Sequence, residues 1–222
     1  MPVDWVTFDC YGTLIDWERG IHEALAPLLP TPLDRHELAA RYIAVEAEVE
    51  HGEYLRYRDV LDRASRRLLA ELGRPIPGDE RSPLPDSLSG WPPFAEVPEA
   101  LRALRSRGYR FAVLSNVDRD LLAASIERLG IAPDLAITSE DCGSYKPAPG
   151  HWRYFASRSG ANAERTVHVG ASLFHDMRPA SALGYRTVFV NRHGEPLGEV
   201  APSRVLPDLW RLADVVDELA RA

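Results

Sequence analysis

Val3-Asp4-Trp5-Val6-Thr7-Phe8-Asp9-Cys10-Tyr11-Gly12-Thr13-Leu14 is the stretch that decides the fold. Residues 3–9 are rich in β-formers, and a polar loop containing Gly12 follows at once. A short apolar run stopped by a turn reads as a strand that is covered on both faces. It leaves a carboxylate, Asp9, standing at the strand's carboxyl end.

The same pattern recurs downstream. Residues 110–114, 135–138, 166–170 and 187–190 are short apolar runs, and between them lie helical periodicities that stop at Gly108, Gly130, Gly160 and Gly184. Strands alternating with glycine-stopped helices predict a parallel α/β sheet. In such sheets ligands bind at the carboxyl ends of the strands. The residues that matter most are therefore Asp9, Ser115 with Asn116, the stretch from Glu140 onward, and the stretch from Ala171 onward.

One segment breaks the alternation. From about residue 16 to residue 89 no strand pattern appears, while residues 21–29, 38–49 and 60–72 carry helical periodicity. This predicts a helical insert over residues 16–91, with the α/β core formed by residues 1–15 and 92–222. Pro83, Pro85, Gly90, Pro92 and Pro93 mark the return to the core. Arg63, Arg66 and Arg67 read as a solvated helix face. Leu55, Val60 and Leu61 are apolar residues of the insert that can serve a homodimer contact.

Composition removes whole classes of function. Lys plus Arg total 26 against 33 Asp plus Glu, a net charge of -7, so there is no basic excess to pair with nucleic-acid phosphates or an anionic membrane. No apolar run approaches the roughly 20 residues that span a bilayer, and the first residues lack a signal-peptide pattern. Cys10 and Cys142 make no disulfide framework and read as small half-buried thiols, so the chain reads as cytoplasmic. With 45% hydrophobic and 27% charged residues it has the makings of a substantial core.

The chemistry sits at the strand ends. A carboxylate in an exposed loop can act as a nucleophile and form an ester or acyl-phosphate, although Asp before a turn is often only a turn former. Leu114-Ser115-Asn116 supplies small hydrogen-bonding groups suited to an anionic oxygen. Tyr145-Lys146-Pro147 supplies a cation able to lower the pKa of Asp9. His168-Val169-Gly170-Ala171-Ser172-Leu173-Phe174-His175-Asp176 places an acid in the turn after the fourth strand, where a helix N-cap is the plainer reading. Taken singly each has such a plainer reading. Their order over four successive strand ends argues against four independent coincidences.

With these motifs the chain resembles the haloacid dehalogenase superfamily of hydrolases over essentially its whole length. Asp9 to Thr13 matches the family's first motif, Ser115 its second, Lys146 its third, and the stretch ending in Asp176 its fourth. The resemblance implies a Rossmann-like parallel sheet with an inserted helical cap domain. It implies Asp9, Lys146 and Asp176 as catalytic residues, and Tyr11, Thr13, Arg41, Ser115, Asn116 and Trp152 as substrate-binding ones. Trp152 stands where the family's dehalogenases carry a Tyr, and Arg41 is the nearest candidate for their halide-receiving cap arginine. Trp17 and Tyr42 read as core aromatics or as walls of a pocket under the cap, and His175 as a structural histidine.

Two positions separate the chemistries of the family. Its phosphatases carry a second Asp two residues after the nucleophile, to protonate the leaving alkoxide; here Tyr11 stands there, a poor acid near neutral pH. They also carry an acid directly after the Gly of the fourth motif, which binds Mg²⁺; here it is Ala171. Asp-X-Tyr-Gly-Thr is the form that the 2-haloacid dehalogenases show. The resemblance thus implies metal-free hydrolysis of the carbon–halogen bond of a short 2-haloacid, with no cofactor. The alternatives are a Mg²⁺-dependent phosphatase of the same superfamily and a binding protein that kept the fold and lost the chemistry.

Overall fold

Six strands form one parallel sheet in a computed structural model that describes residues 3–51 and 54–221. Met1, Pro2 and Ala222 from the ends of the expected core, and Gly52 and Glu53 from the expected insert, lie outside the described residues. The strands are β1 (Trp5–Phe8), β2 (Arg110–Ser115), β3 (Leu135–Thr138), β4 (Thr166–Gly170), β5 (Arg186–Val190) and β6 (Arg204–Leu206). Their order is β3-β2-β1-β4-β5-β6. The sheet reverses direction of winding beside β1, so the crevice of a doubly wound fold opens at the end of that strand. Asp9 is the first residue beyond it, and its N–H continues the ladder to the Val169 carbonyl at 2.9 Å.

Side-chain alternation explains the two layers. Val6 and Phe8, Phe111 and Val113, Val167 and Val169, and Val188 and Val190 face one apolar cluster. Trp5, Ala112 and Leu114 face another. The first cluster is covered by α5 (Val97–Ser106), α6 (Arg119–Leu129) and α10 (Leu212–Arg221); the second by α8 (Gly150–Ser159), which follows the single turn α7 (Ser139–Cys142), and by α9 (Arg178–Ala182). Each fully buried Val, Leu or Phe contributes about 1.5–3 kcal/mol relative to an exposed one, and β1 is buried at all four positions.

Between β1 and α5 lie α1 (Trp17–Leu25), α2 (Arg35–Glu50), α3 (Tyr57–Glu71) and the single turn α4 (Leu84–Ser87), with no strand among the described residues there. The two ends of this segment are tied together: Asp16 N–H donates to the Pro92 carbonyl at 2.9 Å and Phe94 N–H to the Leu14 carbonyl at 3.0 Å. Farther out, the buried Asp118 at the start of α6 leaves its own helix uncapped. Its carboxylate accepts instead from the N–H groups of Tyr57 (3.1 Å) and Arg58 (2.9 Å), capping α3. A carboxylate at a helix N-terminus stabilises it by about 1 kcal/mol, so Asp118 holds this segment by the end of α3.

Two of the three residues expected to serve a homodimer contact are unavailable for it. Val60 and Leu61 are fully buried and offer no surface to a second copy, while Leu55 is half-buried. Arg66 and Arg67 are spent within the chain, on the Gly78 carbonyl at 2.7 Å and on Glu71 at 3.1 Å.

Candidate active site

The loop after β1 is wound tightly. Leu14 and Ile15 N–H both donate to the Cys10 carbonyl, and Gly12 N–H donates to the Ile15 carbonyl at 2.8 Å. Gly12 has φ +90°, where a side chain is strained, and a Cβ there would press on the Trp17 indole. The guanidinium of Arg192, beyond β5, braces the loop from outside. It donates to the carbonyls of Gly12 (3.1 Å) and Thr13 (2.9 Å), pairs with Glu96 at 2.8 Å and stacks on Phe94. The Asp9 side chain is thereby fixed at the edge of a cavity of about 790 Å³.

Three charged groups meet there. Lys146 Nζ lies 2.8 Å from Asp9 Oδ1 and 2.7 Å from Asp176 Oδ1. The Thr13 hydroxyl donates to Asp9 Oδ2 at 2.8 Å. Asp176 arrives on a π-helical turn (Leu173–Met177) so close to β4 that a Cβ on Gly170 would stand 2.6 Å from its carboxyl carbon. Only glycine admits that approach. His168 Nε2 stands 3.5 Å from Asp176 Oδ1, and its Nδ1 is 2.9 Å from the Thr7 hydroxyl.

The shared ammonium divides the two acids. Burial raises Asp176, but the charges and hydrogen bonds of Lys146 and His168 together outweigh it and hold that carboxyl well below the usual range. At Asp9 burial prevails; the Asp176 charge adds to it, and Lys146 and Thr13 only partly offset the rise. Burial works against the charge on Lys146, yet the two carboxylates hold its proton more tightly than in water. His151, which meets the Ser115 carbonyl at 3.0 Å, is pushed down to about 4 by burial and by Lys146 and stays neutral.

The remaining expected residues divide. Tyr11 and Ser115 line the cavity, as do Trp17, Tyr42 and His175. Asn116 lines it too, but its amide is engaged: Nδ2 donates to the Lys146 carbonyl at 3.0 Å and Oδ1 accepts from the Lys146 N–H at 2.6 Å. It positions the lysine rather than presenting its side chain to a substrate oxygen. Arg41 is not at the cavity. It lies on the outer face of α2, half exposed and paired with Glu37 at 2.7 Å, because one residue is about 100° of helix and the inward position belongs to Tyr42. Trp152 is also misplaced by the sequence reading. It is buried on the opposite face of the sheet, in the cluster of Trp5 and Phe155, with its ring 5.2 Å from His168.

Several cavity residues escaped the sequence reading. Glu46, one turn beyond Tyr42, accepts from the hydroxyls of Tyr42 (3.1 Å) and Tyr57 (2.8 Å), and burial raises its carboxyl despite them. Glu50 is pushed up to about 8 by burial and by Glu46. Glu18, His36, Arg35, Arg192 and His193 line the mouth. None has a local sequence signal, since each matters only through long-range proximity.

The family of haloacid dehalogenase-like hydrolases matches residues 3–184. (S)-2-haloacid dehalogenase 4A of Burkholderia cepacia is 28% identical over 219 residues, covering 92% of each chain. Ribulose-1,5-bisphosphate 5-phosphatase of Halopiger xanaduensis is 33% identical over 207 residues, covering 82% of each. The structure of L-2-haloacid dehalogenase from Xanthobacter autotrophicus with chloropropionic acid covalently bound has the same fold, with TM-score 0.84 at 19% identity over 97% of this chain and 98% of that one. The family match runs from β1 past the turn that carries Asp176, and the chain belongs to the haloacid dehalogenase-like hydrolases.

Proposed function

We propose that this hydrolase cleaves the carbon–halogen bond of a 2-haloacid, with Asp9 as nucleophile and the helical segment 16–91 as a cap over the cavity. One observation carries the choice of chemistry. Two residues after Asp9, the Tyr11 hydroxyl is tied to the Ser125 hydroxyl at 2.8 Å, and burial holds its proton far more tightly than in water. A phenol so placed cannot protonate an alkoxide, which a phosphate-ester leaving group requires. A halide leaves without a proton.

In the proposed reaction an Asp9 carboxylate oxygen attacks C2 in line with the halogen. The carbon–halogen bond breaks, its electron pair leaves with the halide, and an ester joins Asp9 to C2. Thr13 fixes one carboxylate oxygen and Lys146 keeps the group ionised. Ser115, whose hydroxyl has no protein partner among the described residues, is placed to hold the substrate carboxylate. Water then adds to the ester carbonyl carbon of Asp9. One of its protons ends on the 2-hydroxyl of the product, and the other leaves to solvent as Asp9 ionises again beside Lys146. A carboxylate held as low as Asp176 is a weak base, so its part is to orient Lys146 and the water.

Mg²⁺ prefers an octahedron of oxygens. Asp9 and Asp176 offer carboxylates, but the Lys146 ammonium lies within 2.8 Å of one oxygen of each, and Ala171 stands where the phosphatases have an acid. The site fits an ammonium better than a divalent ion. The phosphatase reading is supported by phosphatase relatives, among them the Halopiger enzyme at 33% identity.

The test is chloride release from (S)-2-chloropropionate, with and without EDTA, extended to longer 2-haloacids because the cavity of about 790 Å³ has room for them. Release that survives EDTA is the expected result. No halide from any member of the series, with chelator-sensitive hydrolysis of p-nitrophenyl phosphate in Mg²⁺, would replace this reading by the phosphatase one. A companion prediction concerns Tyr11→Phe. Turnover is expected to stay within about threefold, with a loss of about 1 kcal/mol in urea unfolding for one buried hydrogen bond. A hundredfold fall in turnover would show that the phenol takes part.

A further inference from the structure

At the mouth of the cavity, Glu18 in the first turn of α1, His36 in the first turn of α2 and His193 in the loop after β5 converge. His36 Nδ1 stands 3.1 Å from Glu18 Oε2, and His193 Nε2 stands 2.9 Å from Glu18 Oε1. The two imidazoles meet edge to face with centroids 5.5 Å apart. One ligand atom from each residue lies within 4.8 Å of the others, and no other such triad of His, Cys, Asp or Glu is found among the described residues. The proposed reaction uses none of the three.

We propose that Glu18, His36 and His193 form a binding site for Zn²⁺. Two imidazole nitrogens and a carboxylate oxygen are a borderline donor set, which suits zinc and its late transition-metal neighbours and does not suit Mg²⁺ or Ca²⁺. Zinc takes such ligands at about 2.0–2.2 Å in a tetrahedron with water in the fourth position, so its ligand atoms stand about 3–3.5 Å apart. The two imidazole–carboxylate distances already lie near that range, each to a different oxygen of Glu18, and one ligand atom from each residue lies within 4.8 Å of the others. Both histidine side chains are half to two-thirds exposed, so they are reachable by an ion and free to make the small final adjustment.

The local charge is favourable. The two nearby guanidinium groups are already paired, Arg35 with Asp16 at 3.4 Å and Arg192 with Glu96 at 2.8 Å. The positive N-terminal ends of α1 and α2 are capped by Asp16 and Asp34. Neither guanidinium is therefore paired with Glu18. Such an ion ties α1 and α2 to the loop after β5, across the entrance to the cavity that holds Asp9.

The whole chain, stripped with EDTA and dialysed, is titrated with ZnSO₄ by calorimetry, and with CoCl₂ followed by its visible absorption. One ion per chain is expected, with tetrahedral-type Co²⁺ bands and a rise in Tm on Zn²⁺ binding. His36→Ala and His193→Ala should each weaken binding at least tenfold, and binding should fall on acidification because imidazole ligates only when neutral. Asp9→Asn should bind Zn²⁺ as the wild type does, so the outcome is independent of the proposed dehalogenase chemistry. Absence of binding overturns the site. So does binding that survives in the double variant His36→Ala/His193→Ala, or that disappears in Asp9→Asn, since the ion is then held elsewhere.

Discussion

Asp9→Asn is expected to abolish halide release, by roughly 10⁴–10⁶-fold as when a covalent nucleophile is removed, and yet to leave the fold at least as stable. The first half follows from chemistry: a carboxamide does not displace a halide and form the ester. The second half follows from linkage. Burial and the Asp176 charge leave the folded-state pKa of Asp9 above the 3.8 of an ordinary aspartate. A raised carboxyl binds its proton more tightly folded than unfolded. Stability is thus lost as pH rises from 3.8 through the folded value, and the deficit persists at neutral pH. A neutral side chain of the same shape removes that deficit, while Lys146 retains Asp176 at 2.7 Å. Thermal unfolding at pH 7.5 should give an unchanged or higher Tm beside a dead enzyme, the exchange of stability for activity seen at many active sites. The neighbouring Cys10→Ala should remain active. The Cys10 thiol is fully buried in the apolar cluster, and its pKa is raised far above the usual thiol value by burial. Wild-type turnover in Asp9→Asn would remove Asp9 from the mechanism.

What the sequence revealed depended on how local the signal was. Strands β1, β2, β4 and β5 are apolar because both faces are covered, and runs such as residues 110–114 state this directly. Strand β6 escaped because it is an edge strand of three residues with Arg204 and Val205 exposed, and a covering helix such as α10 is recognised only once a sheet is there to cover. The site was legible where parallel topology does the work. Strand ends converge, so Asp9, Ser115, Lys146 and Asp176 come together whatever the details of the loops. It was illegible where rotation about a helix or the side of the sheet decides. Arg41 and Tyr42 are adjacent in sequence, but about 100° of rotation turns Arg41 away from the cavity that Tyr42 lines. Trp152 sits at a suggestive spacing from Lys146, but α8 delivers it beneath the sheet. Asn116 was found as a polar residue at the right place, and its partner, the Lys146 backbone, could be known only from the loop geometry.

Lys146→Met should lower turnover about 10³-fold at neutral pH and move the acid limb of the pH–rate profile upward. Methionine roughly fills the volume of the lysine stem, so the change is one of charge. In the wild type the ammonium, almost wholly buried, is the shared counter-ion of Asp9 and Asp176. Without it two buried carboxylates confront one another, and one must take up a proton. Asp9 is the acceptor, because Asp176 keeps His168 and the Ser172 N–H beside it while Asp9 keeps the Thr13 hydroxyl. A protonated Asp9 is no nucleophile, so activity should recover as pH rises toward a higher limb. The pH dependence that Asp176 lends to stability should change sign as well. In the wild type the depressed Asp176 contributes stability that is present above 3.8 and is lost as pH falls through its lower folded value. In the variant the carboxyl pair binds protons more tightly folded than unfolded, so stability is greatest in acid and declines toward neutral pH. Breaking a buried ion pair costs about 3–5 kcal/mol when a charge is left uncompensated, and uptake of the proton relieves part of that. Urea unfolding at pH 5 and pH 8, beside kcat over the same range, reads both effects. A variant with wild-type kcat and an unmoved acid limb would mean that some group other than Lys146 keeps Asp9 ionised.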